Sequence, residues 1–287
     1  MEVSYYPGCT LESSAAEYGE STEAVCQALG IELKELEDWS CCGASSAHIT
    51  NDYLSIALPA RDLEQAEKVG LDLVIPCAAC FQRIKVAQKE LSGEHSPDGI
   101  SYRSKGNIEI KHLADFIWES LGPKTIEANV KKPLNGLKPV CYYGCLTTRP
   151  PKITDAKNPE DPQSMDEIMK SLGAEVRNWS YKTDCCGGSL VMPRRDILLR
   201  LIKKLFDMAL EASANCIVVG CPMCHGNLDM RQKELSDETG KEYNLPIYYF
   251  TELMALAYGE PETDKWFGKH MVEAKGLLKE NMLLSGG

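Results

Sequence analysis

Thirteen cysteines occur in this chain of 287 residues, and ten of them form one pattern that appears twice. The pattern is a single cysteine, then an adjacent pair followed by glycine, then a CxxC motif. The first copy contains Cys9, Cys41, Cys42, Cys77 and Cys80, and the second contains Cys145, Cys185, Cys186, Cys221 and Cys224. In both copies 34 residues separate the pair from the CxxC motif. Clustered thiols of this kind bind zinc, exchange electrons with disulfides, or hold iron–sulfur clusters.

The number of thiols in each copy favours iron–sulfur clusters among these three chemistries. A zinc site needs four thiolates and a disulfide relay needs two, whereas each copy offers five. Neighbouring cysteines do not easily reach two corners of a compact cubane. Either one cysteine in each copy is a spare, or the cluster is more open and one thiolate bridges two irons. The glycines after each pair, Gly43 and Gly187, let the backbone approach a cluster and offer it N–H groups.

Three cysteines lie outside the pattern and are predicted to pack in the core. Cys26 is on the apolar side of a predicted helix, and Cys141 and Cys216 lie in predicted strands. A buried free cysteine behaves as a small hydrophobic residue.

The elements that position the repeated cysteines are predicted to be short buried strands followed by helices. Strands are expected at 3–6, 71–76, 140–143 and 216–220, and a helix at 13–29. The order of strands and helices in each half predicts two α/β domains with mostly parallel sheets. In such sheets ligands gather beyond the carboxyl ends of the strands, where the cysteines fall.

The chain is predicted to be a duplication, with domains at 1–136 and 137–287 related by pseudo-two-fold symmetry. Each half closes with a matching segment, IKHLADFIWESLG and IYYFTELMALAYG. The repeat is longer than the units of solenoid proteins, which have about 20–50 residues. Residues 122–139, rich in proline, glycine and lysine, are the expected join.

Composition excludes several classes of function. The net charge of −11 argues against nucleic-acid binding, which needs a basic face. No apolar run is long enough for a membrane span. The first residues show no basic and apolar signal-peptide pattern, so a cytoplasmic location is expected.

The doubled cysteine pattern resembles the CCG-domain family of cysteine-rich proteins, over nearly the whole chain. Within that family it is most similar to the B subunits of heterodisulfide reductases from methanogenic archaea. This resemblance implies two [4Fe–4S] clusters of an unusual noncubane form, each held by the five cysteines of one half. It also implies a substrate, the mixed disulfide of coenzyme M and coenzyme B, which is reduced to two thiols. Two clusters facing one cavity could each deliver one electron and hold one sulfur.

The resemblance also implies partners. The chain has no C-x₂-C-x₂-C-x₃-C ferredoxin segment, so its electrons are expected from another polypeptide. In the family these partners are a small ferredoxin-like protein, the C component of the reductase, and a flavin-containing protein, its A component. A hydrogenase or formate dehydrogenase is expected beyond them.

Two other functions remain open from the sequence. One is an electron-transferring iron–sulfur subunit of a lactate- or glycolate-type 2-hydroxy acid oxidoreductase. The other is a zinc-stapled scaffold without enzymatic activity. Two complete motifs favour the disulfide reductase, and the content of iron, sulfide and zinc separates the two iron–sulfur hypotheses from the zinc hypothesis.

An anionic disulfide would need basic groups or helix N-termini to bind it. Arg194 and Arg195 are predicted as substrate-binding residues because Pro193 suits the first position of a helix. The first half has the uncharged residues 49–51 at the matching positions. Lys182 and Arg149 are further candidates.

Histidines near the cysteine motifs are candidate proton donors. His225 follows the second CxxC motif and is predicted to act catalytically, or to hydrogen-bond a cluster sulfur. His112 and His48 are further candidates for a role at the site. His95 and His270 are predicted to lie in polar loops without a role.

Overall fold

The computed structural model describes residues 1–44, 46–93 and 99–284. In this part of the chain, strands form two separate sheets in which every pairing is parallel. The strands are β1 (Glu2–Tyr5), β2 (Glu32–Glu35), β3 (Leu73–Ile75), β4 (Ile110–His112), β5 (Pro139–Tyr142), β6 (Cys216–Val219) and β7 (Ile247–Tyr249). The first sheet has the order β2-β1-β3-β4 and the second β5-β6-β7.

Helices cover both sheets, and none of those described is long and apolar enough to cross a membrane. A short 3-10 turn spans Gly188–Leu190. The helices are α1 (Ala16–Ala28), α2 (Ala47–Thr50), α3 (Asp52–Val69), α4 (Ala78–Leu91), α5 (Leu113–Ala128), α6 (Pro151–Thr154), α7 (Ser164–Ser171), α8 (Arg195–Glu211), α9 (Pro222–Met230), α10 (Gln232–Thr239), α11 (Phe250–Tyr258), α12 (Thr263–Phe267) and α13 (Lys275–Glu280).

The predicted α/β class with parallel sheets is confirmed. Strands β3 and β6 are buried along their whole length, as expected for central strands covered by helices on both faces. Helix α1 begins three residues later than predicted. It ends at Ala28, two residues before Gly30, which takes the left-handed conformation (φ 69°) that follows many helices.

The two halves differ in detail. The second sheet lacks a counterpart of β2, although Glu175 and Arg177 donate backbone hydrogen bonds to Leu137 and Pro139 at the same edge. The expected join is also more structured than predicted, because α5 continues through a kink at Gly122 (φ 68°). The domain boundary after residue 136 stays a prediction.

The halves pack against each other reciprocally. Helix α1 of the first half packs on α11 of the second, and α7 of the second packs on α5 of the first. At the first contact the rings of Tyr18 and Tyr249 stack 4.1 Å apart. At the second, the Ser164 hydroxyl donates to Asp115 over 2.6 Å. One continuous apolar core contains residues of both halves, so the loops after β3 and β6 are held together.

Candidate functional site

The repeated cysteines of each half follow adjacent strands at the carboxyl edge of its sheet. Cys9 follows β1 and Cys77 follows β3, and these two strands are paired. In the second half Cys145 follows β5 and Cys221 follows β6, which are also paired. The CxxC motifs open helices α4 and α9. The structure therefore brings the motifs together where the sequence placed them.

The thiols of the first half form two close contacts. The sulfurs of Cys9 and Cys41 lie 3.9 Å apart, and those of Cys42 and Cys80 lie 3.3 Å apart. Hydrogen bonds from Cys41 and Cys80 hold the pKa of Cys42 far below its usual value, at about 3. A thiolate is the form that binds metal.

The second half repeats this arrangement. The sulfurs of Cys186 and Cys224 lie 3.7 Å apart. A hydrogen bond from Cys145 lowers the pKa of Cys185 to about 6. A hydrogen bond from Cys224 also lowers the pKa of Cys186, so each half has a thiol set in which at least one member of the adjacent pair is stabilised as a thiolate.

Two tyrosines fix the loops that carry the adjacent pairs. The Tyr6 hydroxyl donates to the carbonyl of Ser40, and the Tyr142 hydroxyl donates to the carbonyl of Asp184, both over 2.6 Å. Each carbonyl belongs to the residue just before a pair. Sequence reasoning missed these tyrosines, although both lie three residues before a single cysteine.

Glycines before the single cysteines leave room for the CxxC sulfurs. A Cβ atom on Gly8 would lie 3.0 Å from the sulfur of Cys80, and one on Gly144 would lie 3.0 Å from the sulfur of Cys224. Both glycines have positive φ angles, 74° and 69°. Only glycine gives this close approach without strain.

Glycines after the pairs donate to cysteine sulfurs, and their predicted donation to cluster sulfurs stays a prediction. The N–H of Gly43 donates to the sulfur of Cys41 over 3.4 Å, and that of Gly187 donates to Cys185 over 3.2 Å. In the described residues no three His, Cys, Asp or Glu side chains converge as ligands of a single ion. The donor set, five thiols with room and N–H groups around them, fits an iron–sulfur cluster in each half.

The two thiol sets meet between the halves. The thiols of Cys77 and Cys221 lie close enough across the interface for each to perturb the pKa of the other. Beside them, Nε2 of His112 lies 2.8 Å from the carbonyl of Pro76 and 2.9 Å from that of Gly220. These carbonyls belong to the residues just before the two CxxC motifs. His112 therefore contacts both motifs, and its Nε2 is directed at these carbonyls and not at a substrate.

A cavity of about 150 Å³ lies between the halves. One wall contains all five repeated cysteines of the second half and continues through Tyr143, Leu146, Gly188, Ser189 and Met223. The other wall is formed by Ala44, His48, Ala78, Ala79, Gln82 and Arg83 of the first half. The sequence predicted one cavity faced by both thiol sets, whereas none of the first-half cysteines lines this cavity. Their set adjoins it through Cys77 instead.

The predicted substrate arginines lie elsewhere. Arg194 is the N-cap of α8 and Arg195 its first residue, so a helix does start there. Both side chains are exposed; Arg194 pairs with Asp196 over 2.9 Å and Arg195 pairs with Glu234. Neither lines the cavity, and their role as substrate ligands stays a prediction without support from this geometry.

The other two predicted cations, Lys182 and Arg149, form contacts that stabilise the segment before the second cysteine pair. Lys182 is buried and pairs with Asp161 and Asp166 over 2.8 and 2.9 Å. Arg149 donates to the hydroxyl of Thr183 over 3.0 Å. Both hold the segment that leads to the second cysteine pair.

His225 is buried and does not line the cavity. Its ring stacks on Tyr249 at 4.2 Å, and Nε2 lies 3.2 Å from the carbonyl of Ile247. Burial lowers its pKa well below the usual value, which keeps the ring neutral. The geometry does not place it as a proton donor to the cavity.

His270 lies in a loop as predicted, between α12 and α13, but its side chain is buried. Its Nε2 lies 2.9 Å from Oε1 of the buried Glu252. His48 does line the cavity. His95 lies outside the described residues.

Sequence reasoning missed Gln82 and Arg83. Both lie in the first turns of α4, and both line the cavity opposite the second-half cysteines. Their position directly after the first CxxC motif was the available signal.

Comparison with known proteins agrees with this architecture. The cysteine-rich domain CCG matches residues 3–85 and 140–229. The 8-methylmenaquinol:fumarate reductase membrane anchor subunit of Wolinella succinogenes is 30% identical over 96% of this chain and 99% of its own. The B subunit of the ferredoxin:CoB-CoM heterodisulfide reductase of Methanosarcina mazei is 26% identical over 90% of this chain and 89% of its own.

More distant matches are found in sequence and in structure. Lactate utilization protein A 2 of Bacillus cereus is 22% identical over 89% of this chain and 98% of its own. The crystal structure of a hypothetical protein from Helicobacter pylori matches with a TM-score of 0.72 at 14% identity, over 95% of this chain and 52% of that one. The chain belongs to the cysteine-rich CCG family, and it resembles heterodisulfide reductase B subunits over most of its length.

Proposed function

We propose that this protein is the disulfide-reducing iron–sulfur subunit of a multi-subunit reductase. Its proposed substrate is the mixed disulfide of coenzyme M and coenzyme B, which takes up two electrons and two protons and leaves as two thiols. The cavity between the halves carries this proposal, because a wall of cysteines faces a wall that contains His48, Gln82 and Arg83. The similarity to the Methanosarcina mazei protein supports the choice of substrate.

We assign one noncubane [4Fe–4S] cluster to the five repeated cysteines of each half. When bound, such clusters supply single electrons and Lewis-acidic iron. Gly8 and Gly144 leave room beside the CxxC sulfurs, and Gly43 and Gly187 stabilise negative sulfur with their N–H groups. These four glycines position the ligand thiols, and this role does not depend on bound substrate.

The partners proposed for this chain are the ferredoxin-like C component and the flavin-containing A component of such a reductase, supplied by a hydrogenase or formate dehydrogenase. Cys9 and Cys41 of the first set are exposed, so that set is open to a partner, while Cys77 reaches the second set. All thirteen cysteines are free, which supports the reducing cytoplasm as the location.

The second candidate is an electron-transferring subunit whose substrate is handled elsewhere. The relatives in the fumarate reductase and in lactate utilization favour it. In that case the exposed Cys9 and Cys185 mark two routes for electrons, and no disulfide enters the cavity.

Cysteine variants of the two halves separate these functions. Cys186→Ser and its matched control Cys42→Ser are assayed anaerobically with an artificial low-potential donor and the heterodisulfide, after iron and sulfide have been counted. We expect no turnover in Cys186→Ser, and reduced turnover in Cys42→Ser, because only the second set lines the cavity. Absence of disulfide turnover in the fully loaded wild type, alone and with its partners, would favour the second candidate. Zinc without sulfide would exclude both.

A further inference from the structure

Arg83 is a cation without a carboxylate partner in the wall of the cavity. Its Nη2 donates to the carbonyl of Ser55 over 2.5 Å, while Nε is buried and has no hydrogen-bond partner. Among the described residues, no Asp or Glu forms an ion pair with it. Other arginines such as Arg61 and Arg194 do have carboxylate partners. Arg83 itself is half-buried, and a buried N–H without a partner is costly unless a further acceptor binds it.

The repeat shows that the fold does not need a charge at this position. Arg83 and Asn227 each lie three residues after the last cysteine of a CxxC motif. Asn227 is neutral, and its amide donates to the carbonyl of Cys186 over 2.5 Å, which fixes the loop of the second pair. Arg83 instead donates to Ser55, outside the loop of the first pair. Its charge is therefore specific to the first half, which forms the wall opposite the second-half cysteines.

We propose that Arg83 is the specificity-determining residue of the cavity and binds the anionic group of a small sulfur-containing substrate. This inference rests on the proposed function and names its substrate class: a thiol or disulfide with a sulfonate, carboxylate or phosphate a few bonds away. A cavity of about 150 Å³ is smaller than typical ligand pockets of about 300–1,000 Å³, so a short end of a substrate fits.

The two walls orient this end of the substrate. The sulfur faces the cysteines of the second half, and the anion faces Arg83, with Gln82 and His48 beside it as hydrogen-bonding groups. Burial lowers the pKa of Arg83, and the negative charge of Cys42 opposes this effect. Arginine stays charged in proteins, so it remains available to an anion.

Equilibrium binding to the anaerobic holoprotein tests the proposal. The probes are 2-mercaptoethanesulfonate and the neutral 2-mercaptoethanol, measured by calorimetry. We expect the wild type to prefer the sulfonate by about tenfold to a hundredfold. Arg83→Gln should lose this preference and keep its affinity for the neutral thiol, and Arg83→Lys should keep part of it. The matched control is Arg61→Gln, because Arg61 pairs with Asp38 outside the cavity.

A competition experiment with inorganic sulfate uses the wild-type protein, so its result does not depend on how the variants fold. Inorganic sulfate should displace the sulfonate thiol and leave the neutral thiol bound. Absence of competition, or an Arg83→Gln protein with unchanged preference, overturns the proposal. The proposal is also overturned if the wild type shows no preference for the anion and Arg83→Gln loses iron. In that case Arg83 stabilises the negative charge of the first thiol set instead.

The same preparations separate this inference from the proposed function. Anion binding that depends on Arg83, without turnover of any disulfide, would contradict the reductase and leave the role of Arg83 intact. Turnover of the heterodisulfide with a KM that is unchanged in Arg83→Gln would leave the reductase intact and contradict the role of Arg83.

Discussion

The three cysteines outside the repeated pattern show how burial separates a structural thiol from a ligand. Cys26, Cys141 and Cys216 are at most 1% exposed and lie in the apolar core. Burial raises the pKa of each, so each remains a neutral thiol. They contrast with Cys42 and Cys185, whose thiolate forms are stabilised by neighbouring thiols.

Replacing Cys26, Cys141 or Cys216 by alanine is expected to leave iron and sulfide content unchanged. The free energy of unfolding should fall by about 1–3 kcal/mol, because each substitution leaves a small cavity in the core. Metal analysis and denaturant unfolding measure the two effects, with Cys186→Ser as the control that loses iron. A variant among the three that loses a cluster would show that its cysteine is a ligand.

His270 is expected to make stability depend on pH. Burial lowers its pKa, but the charge of Glu252 and their hydrogen bond outweigh burial, and the net pKa is raised. A raised pKa means that the stabilisation is complete below the unfolded value of about 6.5 and is lost as pH rises through the higher folded value. Thermal unfolding should therefore show a larger loss of stability in His270→Gln at about pH 6 than at about pH 9. Equal losses at both would show that the pair is not charged.

At the scale of elements, the turn after each first strand is shaped to receive a CxxC sulfur. Gly144 follows β5 and lies against Cys224, just as Gly8 follows β1 and lies against Cys80. The tyrosine at the start of each turn holds the loop of the cysteine pair. Strand end, turn and loop are thus fixed to one another in both halves.

Gly144→Ala is expected to lower iron and sulfide content by up to about half, because its Cβ would displace the sulfur of Cys224. The matched control is Gly30→Ala, since Gly30 has the same φ of 69° and no atom within 4 Å of the added Cβ. Both variants should lose about 1–2 kcal/mol of stability through the left-handed backbone. Equal iron contents in the two variants would contradict a role for Gly144 at the site.

For the whole molecule, the packing of the two halves decides how the thiol sets relate. Helices α1 and α11, and α5 and α7, join the halves through one core. This places Cys77 against Cys221 and leaves the cavity beside the second set. A duplicated sequence therefore yields two sites with different surroundings.

His112→Phe is expected to destabilise the whole molecule by about 1–3 kcal/mol, the cost of leaving the Gly220 carbonyl without a donor, while the Pro76 carbonyl keeps the Tyr18 hydroxyl. The reason is that His112 of the first half lies within hydrogen-bond distance of both Pro76 and Gly220. Denaturant unfolding measures this loss. Lys157→Ala, at an 85% exposed side chain, is the control and should change stability by less than about 0.5 kcal/mol. If both variants have the same free energy of unfolding, the hydrogen bonds of His112 do not contribute to stability.

The sequence by itself determined the class of fold and the two thiol sets. Short buried strands followed by helices, and equal cysteine spacings, are local patterns, and parallel strands bring their carboxyl ends to one edge. The strands at 3–6 and 140–143 were placed within one residue of β1 and β5. The elements and the shared edge follow from these patterns, without knowledge of how the halves pack.

Only the tertiary structure decided what each candidate side chain faces. Arg194 and Arg195 were predicted to bind an anionic substrate, but Asp196 and Glu234 pair with them. His270 is buried beside Glu252, and Arg83 reaches the cavity because α4 meets the second half there. Burial and pairing depend on contacts between residues far apart in the chain, and the cysteine spacing carries no information about these contacts.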